Sequence, residues 1–153
     1  MRSGRARATD PVATNLVLSG GPGHDFEAST SALVEVLAEV GVTSTVFDDP
    51  DAALVEIGDH PERWDLLTVN ALRWRMDEDR YAPLRSQWAY RPRPGALAGV
   101  ESYLRGGGSV LACHAAVICF DGDPCWQRCT GATWRWGRSS HPPLGPARID
   151  VTD

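Results

Sequence analysis

Three of the four histidines stand beside small, turn-forming residues. His24 follows Gly20-Gly21-Pro22-Gly23, His114 precedes Ala115-Ala116, and His141 follows Ser139-Ser140. Imidazole titrates near neutral pH, so each could act as a general base, a metal ligand or a hydrogen-bond donor. A His24/His114/His141 set would suit zinc or another divalent ion, with Asp25 as a further ligand or an orienting carboxylate. The plainer alternative is that each histidine satisfies a local turn. His60, in Gly58-Asp59-His60-Pro61, reads as a surface-loop residue.

Two other groups of residues could carry chemistry. Cys113, Cys119, Cys125 and Cys129 are spaced C-x5-C-x5-C-x3-C, without the C-x2-C pairs of common zinc sites, so structural or incidental thiols are expected. The glycines before His24 match neither a dinucleotide fingerprint nor a Walker loop. They still allow backbone N–H groups to approach a ligand at a helix start. A simple tight turn is the competing reading.

These residues can meet only if the chain brings them to one edge. Residues 15–19 are an apolar run stopped by glycine, which predicts a buried strand. A helix is expected from Asp25 as N-cap to Gly41 as the closing glycine, with Phe26, Leu33, Leu37 and Val40 facing inward. Residues 43–47, 65–69 and 109–113 read as strands, and 50–58 and 94–105 as helices. Apolar strands alternating with helices specify a doubly wound, mostly parallel sheet covered on both faces. Ligands of such sheets bind at the carboxyl ends of the strands. Gly21, Gly23, His24 and Asp25 then belong to one candidate edge, with Asn70 and Arg73 after the third strand and His114 after the fourth. His114 occupies a strand-to-helix elbow, and strand alternation turns Cys113 the other way, into packing.

Residues 73–93 interleave six arginines with Trp74, Tyr81, Trp88 and Tyr90. They read as an excursion above the sheet, a lid, site wall or subunit contact rather than a core element. Beyond residue 130 the chain is irregular, with Trp136 and His141 as further site candidates and 147–151 as a last strand. Residues 1–14 read as a disordered tail and 15–153 as one domain.

Bulk properties narrow the class. A formal net charge of −5, with Asp77, Glu78 and Asp79 interrupting the arginine run, argues against nucleic acid as a partner. No apolar stretch is long enough to cross a bilayer, and residues 1–15 lack the apolar centre of a secretory leader. A cytoplasmic setting with reduced thiols is expected.

Leu16-Val-Leu-Ser-Gly-Gly-Pro-Gly-His-Asp-Phe26, Gly106-Gly-Gly-Ser-Val-Leu-Ala-Cys-His-Ala-Ala116 and the stretch from Gly131 through Trp136 to His141-Pro142 resemble the trehalose-utilisation (ThuA-like) family. That family belongs to the class I glutamine amidotransferase-like superfamily. The resemblance implies a flavodoxin-like three-layer α/β/α sandwich and a carbohydrate ligand, trehalose or a related, oxidised disaccharide. His114 would stand where amidotransferases carry their nucleophile, so glutamine hydrolysis is not expected. By position the family's G-H maps onto Gly23-His24, its elbow histidine onto His114 and its later segment onto Gly131 to His141-Pro142. Together with the edge residues read above, His114, His24 and Asp25 are catalytic candidates, and Gly21, Gly23, Asn70, Arg73, Trp136 and His141 are substrate-binding candidates. Alternatives are a non-catalytic sugar- or anion-binding regulatory domain and a truncated, inactive member. Family domains continue past a further H-P segment and an acidic stretch. Ending at Asp153 therefore implies C-terminal shortening, a partly uncovered sheet face and a tendency to homodimerise.

Overall fold

The computed structural model describes residues 13–141 together with Pro143, Gly145, Pro146, Arg148 and Asp150. Four strands, β1 (Ala13–Gly20), β2 (Val42–Phe47), β3 (Leu66–Ala71) and β4 (Ser109–Ala112), form one sheet in the order β2-β1-β3-β4. Every pairing is parallel. The α-helices among the described residues are α1 (Phe26–Glu39), α2 (Pro50–Asp59), α3 (Ala82–Trp88), α4 (Ala96–Arg105) and α5 (Pro124–Thr130). The expected flavodoxin-like three-layer α/β architecture is the observed one.

Strand alternation divides the sheet into two unlike faces. Leu16 and Leu18 of β1 with Leu67, Val69 and Ala71 of β3 pack under Ala53, Leu54 and Ile57 of α2 and under Leu97, Val100 and Tyr103 of α4. Tyr103 anchors the return into β4: its hydroxyl donates to the Ser109 carbonyl and accepts from the Ser109 N–H, each at 3.1 Å. A Cβ on Gly108 would lie 2.2 Å from that ring, so the last glycine of the triple-glycine stretch is required by packing alone.

The other face is polar where α1 crosses it. Thr68 donates to Asn15 at 2.9 Å, and Asn15 donates to Ser44 at 3.0 Å. Ser19 and Thr30 share a 2.6 Å bond. Only Phe26 and Thr30 of α1 are buried, and Val40, expected on the inner face, is 74% exposed. Val40 is the C-cap residue, one position beyond the last residue of α1.

Three expectations need correction. Residues 1–12 lie outside the described residues, but Ala13 and Thr14, expected in the tail, belong to β1. Thr14 is tied to the start of β3 by Thr14 N–H to Asp65 Oδ2 (2.8 Å), Thr14 Oγ1 to the Arg63 carbonyl (2.6 Å) and Asp65 N–H to the Thr14 carbonyl (3.0 Å). Residues 73–93 are not wholly an excursion. Trp74 and Met76 are buried with Phe26, Leu72 and Ala115 in a second apolar cluster at the carboxyl edge. Helices α3 and α5 were not foreseen. Each is a seven-residue helix, too short for an apolar stripe to show as periodicity. The strand expected at 147–151 lies outside the described residues in three of its five positions.

Candidate functional site

β1 ends in Gly20 and turns through Gly21-Pro22-Gly23 to α1, while β4 ends one residue before Cys113 and passes into a single 3-10 turn at His114–Val117. His114 opens that turn at φ 41°. A non-glycine residue in the left-handed region is uncommon and marks a position worth a functional question. The sharp turn follows the apolar strand, but the helix expected beyond it is this one 3-10 turn, and the next α-helix starts only at Pro124. His24 meets His114 at the turn: the two imidazole centroids are 5.0 Å apart and nearly perpendicular (86°). His24 also lies edge-on to Phe26 at 5.6 Å. Both histidines are exposed, so both rings are reachable from solvent.

Cys113 behaves as expected of the residue before the elbow. It is half-buried, and burial pushes its thiol pKa up, leaving a neutral thiol rather than an activated nucleophile at neutral pH. Asp25 caps α1, its Oδ1 accepting from the Ala28 N–H at 3.0 Å. That role holds the helix start against the His24 turn.

Other candidates are committed to the scaffold. Asn70 is buried and its amide donates to Ser29 Oγ (3.0 Å) and Thr30 Oγ1 (2.9 Å), pinning α1 to β3. Gly21 permits the turn to lie on β3, since a Cβ there would be 2.5 Å from the Leu72 carbonyl. Gly23, by contrast, has φ 81° and open space around its missing side chain. Trp136 donates from Nε1 to Asp121 Oδ2 at 3.2 Å and belongs to an aromatic group with Trp74, Tyr81 and Trp134. His141 is exposed, with its ring 6.3 Å from Trp134. Among the described residues no group of three His, Cys, Asp or Glu side chains could hold a metal ion. The proposed His24/His114/His141 zinc set is therefore not assembled: His24 and His114 pair, while His141 lies against the tryptophans.

Arg73 turns under the edge. Its residue is 9% exposed, one terminal nitrogen donates to the Asp48 carbonyl at 3.0 Å, and the guanidinium lies 4.7 Å from the Trp88 ring centre. Burial lowers its pKa despite the nearby Cys119, Asp48, Asp49 and Tyr90.

One organising residue escaped sequence reasoning. Asp121 accepts from the Arg75 backbone N–H (2.9 Å) and from Arg75 Nε (3.3 Å) and Nη2 (3.2 Å), as well as from Trp136. It thereby clamps the segment after β3, the turn before α5 and the aromatic group. The signal available was Asp121-Gly122-Asp123-Pro124, in which Asp123 caps α5 by accepting from Cys125 N–H at 2.8 Å. Beside it an open cavity is lined by Arg75, Tyr90, Arg93, Phe120 and Asp121. A second, at the opposite edge of the sheet, is lined by Trp64, Asp65 and Tyr103. Neither includes His24 or His114 in its walls.

Comparison with protein-family models, curated proteins and solved structures finds no match to this chain.

Proposed function

We propose that this is a ThuA-like domain acting in carbohydrate utilisation, with the His24–His114 pair as its working site and a sugar, such as a disaccharide or its oxidised form, as ligand. The observation that carries this reading is His114 held at φ 41° with the His24 ring 5.0 Å away at the carboxyl edge of a parallel sheet. Two imidazoles at that separation can divide the labour on a hydroxyl or an acidic C–H next to a carbonyl, one accepting a proton and the other donating. Asp25 fixes the turn that carries His24, and Gly23 leaves room beside it. The four described cysteines are free, which suits a reducing cytoplasm. A parallel sheet whose β4 edge is unpaired among the described residues supports a homodimer.

The test is turnover of a panel of ketosugars and oxidised disaccharides, followed by NMR of the sugar. His114→Ala and His24→Ala are each expected to slow the reaction by roughly 10²- to 10⁴-fold, with the far-UV circular dichroism unchanged. Full activity in His114→Ala would overturn the catalytic assignment.

A second reading, binding without turnover, draws on the exposure of both histidines and the position of the cavities elsewhere. Saturable shifts of the His24 and His114 ring signals by a sugar that is recovered unchanged would favour it.

A further inference from the structure

Among the described residues, Arg73 is a buried cation without a carboxylate partner in contact. Its guanidinium has five N–H donors, yet among the described residues its side chain makes one hydrogen bond, to the neutral Asp48 carbonyl. Nε is buried with no hydrogen-bond partner among them, and no described acidic group lies within ion-pair distance. A buried N–H of a charged group left unpaired is costly, and this Nε–H is a donor that an oxygen of an anion can take up. Asp48 and Asp49 act on it only at longer range, from exposed positions in the turn before α2.

Its location is that of a ligand group. Gly20, the last residue of β1, passes so close that a Cβ there would be 3.1 Å from Arg73 Nη2. The cation therefore lies beside the turn that carries His24. Above it sits Trp88, the last residue of α3, and neither α3 nor the 3-10 turn before it buries a single residue. Arg85 binds the carbonyls of Met76, Asp77 and Glu78, all within the same segment. Such a segment opens at low cost compared with the sheet.

We propose that Arg73 binds an oxyanion, the carboxylate or phosphate of a small-molecule ligand, and that Trp88 covers it as a lid. This deepens the sugar reading above by making the ligand an acid-bearing sugar, a sugar acid or a sugar phosphate. It rests on the same edge but does not require the histidines to be catalytic.

The experiment follows the arginine Nε–H signals of the ¹⁵N-labelled 153-residue chain by NMR, with the Arg73 signal assigned from its loss in Arg73→Lys. Inorganic phosphate, gluconate and neutral glucose are titrated separately. Phosphate or gluconate is expected to shift the Arg73 signal saturably, and glucose to leave it in place. A phosphate-only response assigns a sugar phosphate, and a gluconate-only response a sugar acid. Arg73→Leu should weaken anion binding by about 10- to 100-fold, and Trp88→Ala should speed association. His114→Ala should retain the anion response even where turnover is lost, which separates failure of the histidine reading from failure of this one. An Arg73 signal unmoved by both anions in the wild-type protein, or moved no more than those of the exposed arginines, would overturn the assignment.

Discussion

At the scale of single residues, the conformation of His114 makes a prediction that separates stability from function. A left-handed residue with a Cβ costs roughly 1–2 kcal/mol, a penalty that glycine escapes. His114→Gly is therefore expected to raise unfolding stability by about 1 kcal/mol in urea, while abolishing whatever the imidazole does. A destabilised His114→Gly would mean that the ring contact with His24 outweighs the backbone strain. The same scale explains why the candidate list thinned. Asn70, Gly21 and Asp25 carry the residue types that a binding edge needs, but a helix seat, a close backbone approach and an N-cap already occupy them. Residue type and strand position identify such places; they do not say whether the nearest partner is a ligand or the next turn of the chain.

Elements show the same division more sharply. The four strands, α1, α2 and α4 are announced by local patterns: an apolar run ended by glycine, Pro50 opening a helix, the glycines from 106 closing one. Those signals are short-range, because caps and periodicity act within one or two turns. The segment after β3 carries no such pattern, and its order comes from distant partners. Tyr90 N–H bonds the Trp74 carbonyl at 2.8 Å, Phe120 N–H bonds the Arg73 carbonyl at 2.8 Å, and Asp121 clamps Arg75 and Trp136. Removing that carboxylate leaves a cluster of donors unpaired, so Asp121→Ala is expected to cost about 1.5–3 kcal/mol in equilibrium unfolding. Hydrogen exchange should localise the added opening to residues 72–90 and 134–137, with the β1–β3 amides protected as before.

Across the whole molecule, the buried Cys119 thiol and the half-buried Cys125 thiol set a pH limit. Burial pushes the Cys119 pKa up to about 12 and that of Cys125 up to about 11. Cys119 donates to the Ala71 carbonyl at 3.1 Å while accepting from Arg73 N–H at 3.3 Å. In the unfolded chain these thiols ionise near ~8.5. Above that pH the folded state holds protons that the unfolded state has released, so stability is intact below it and falls as the pH rises toward the folded values. Urea midpoints measured from about pH 7 to about pH 10 should decline, and Cys119→Ala should flatten the slope whatever it does to stability at neutral pH. An unchanged slope would show that Cys119 ionises in the fold as readily as outside it.

What the sequence determined by itself is the layer architecture and the elbow. Strand alternation, glycine stops and helix caps are consequences of backbone geometry within a few residues, so an α/β parallel sheet with His114 in the turn after its fourth strand could be read directly. The approach of His24 to His114 follows once the first and fourth strands share an edge. Tertiary structure decided the rest: that His141 lies beside Trp134 instead of joining the pair, that Trp74 and Met76 are core, and that Arg73 is a covered cation with an unused donor. Each of those depends on which distant surface a side chain meets, and close packing resolves that choice among alternatives that local sequence leaves equal.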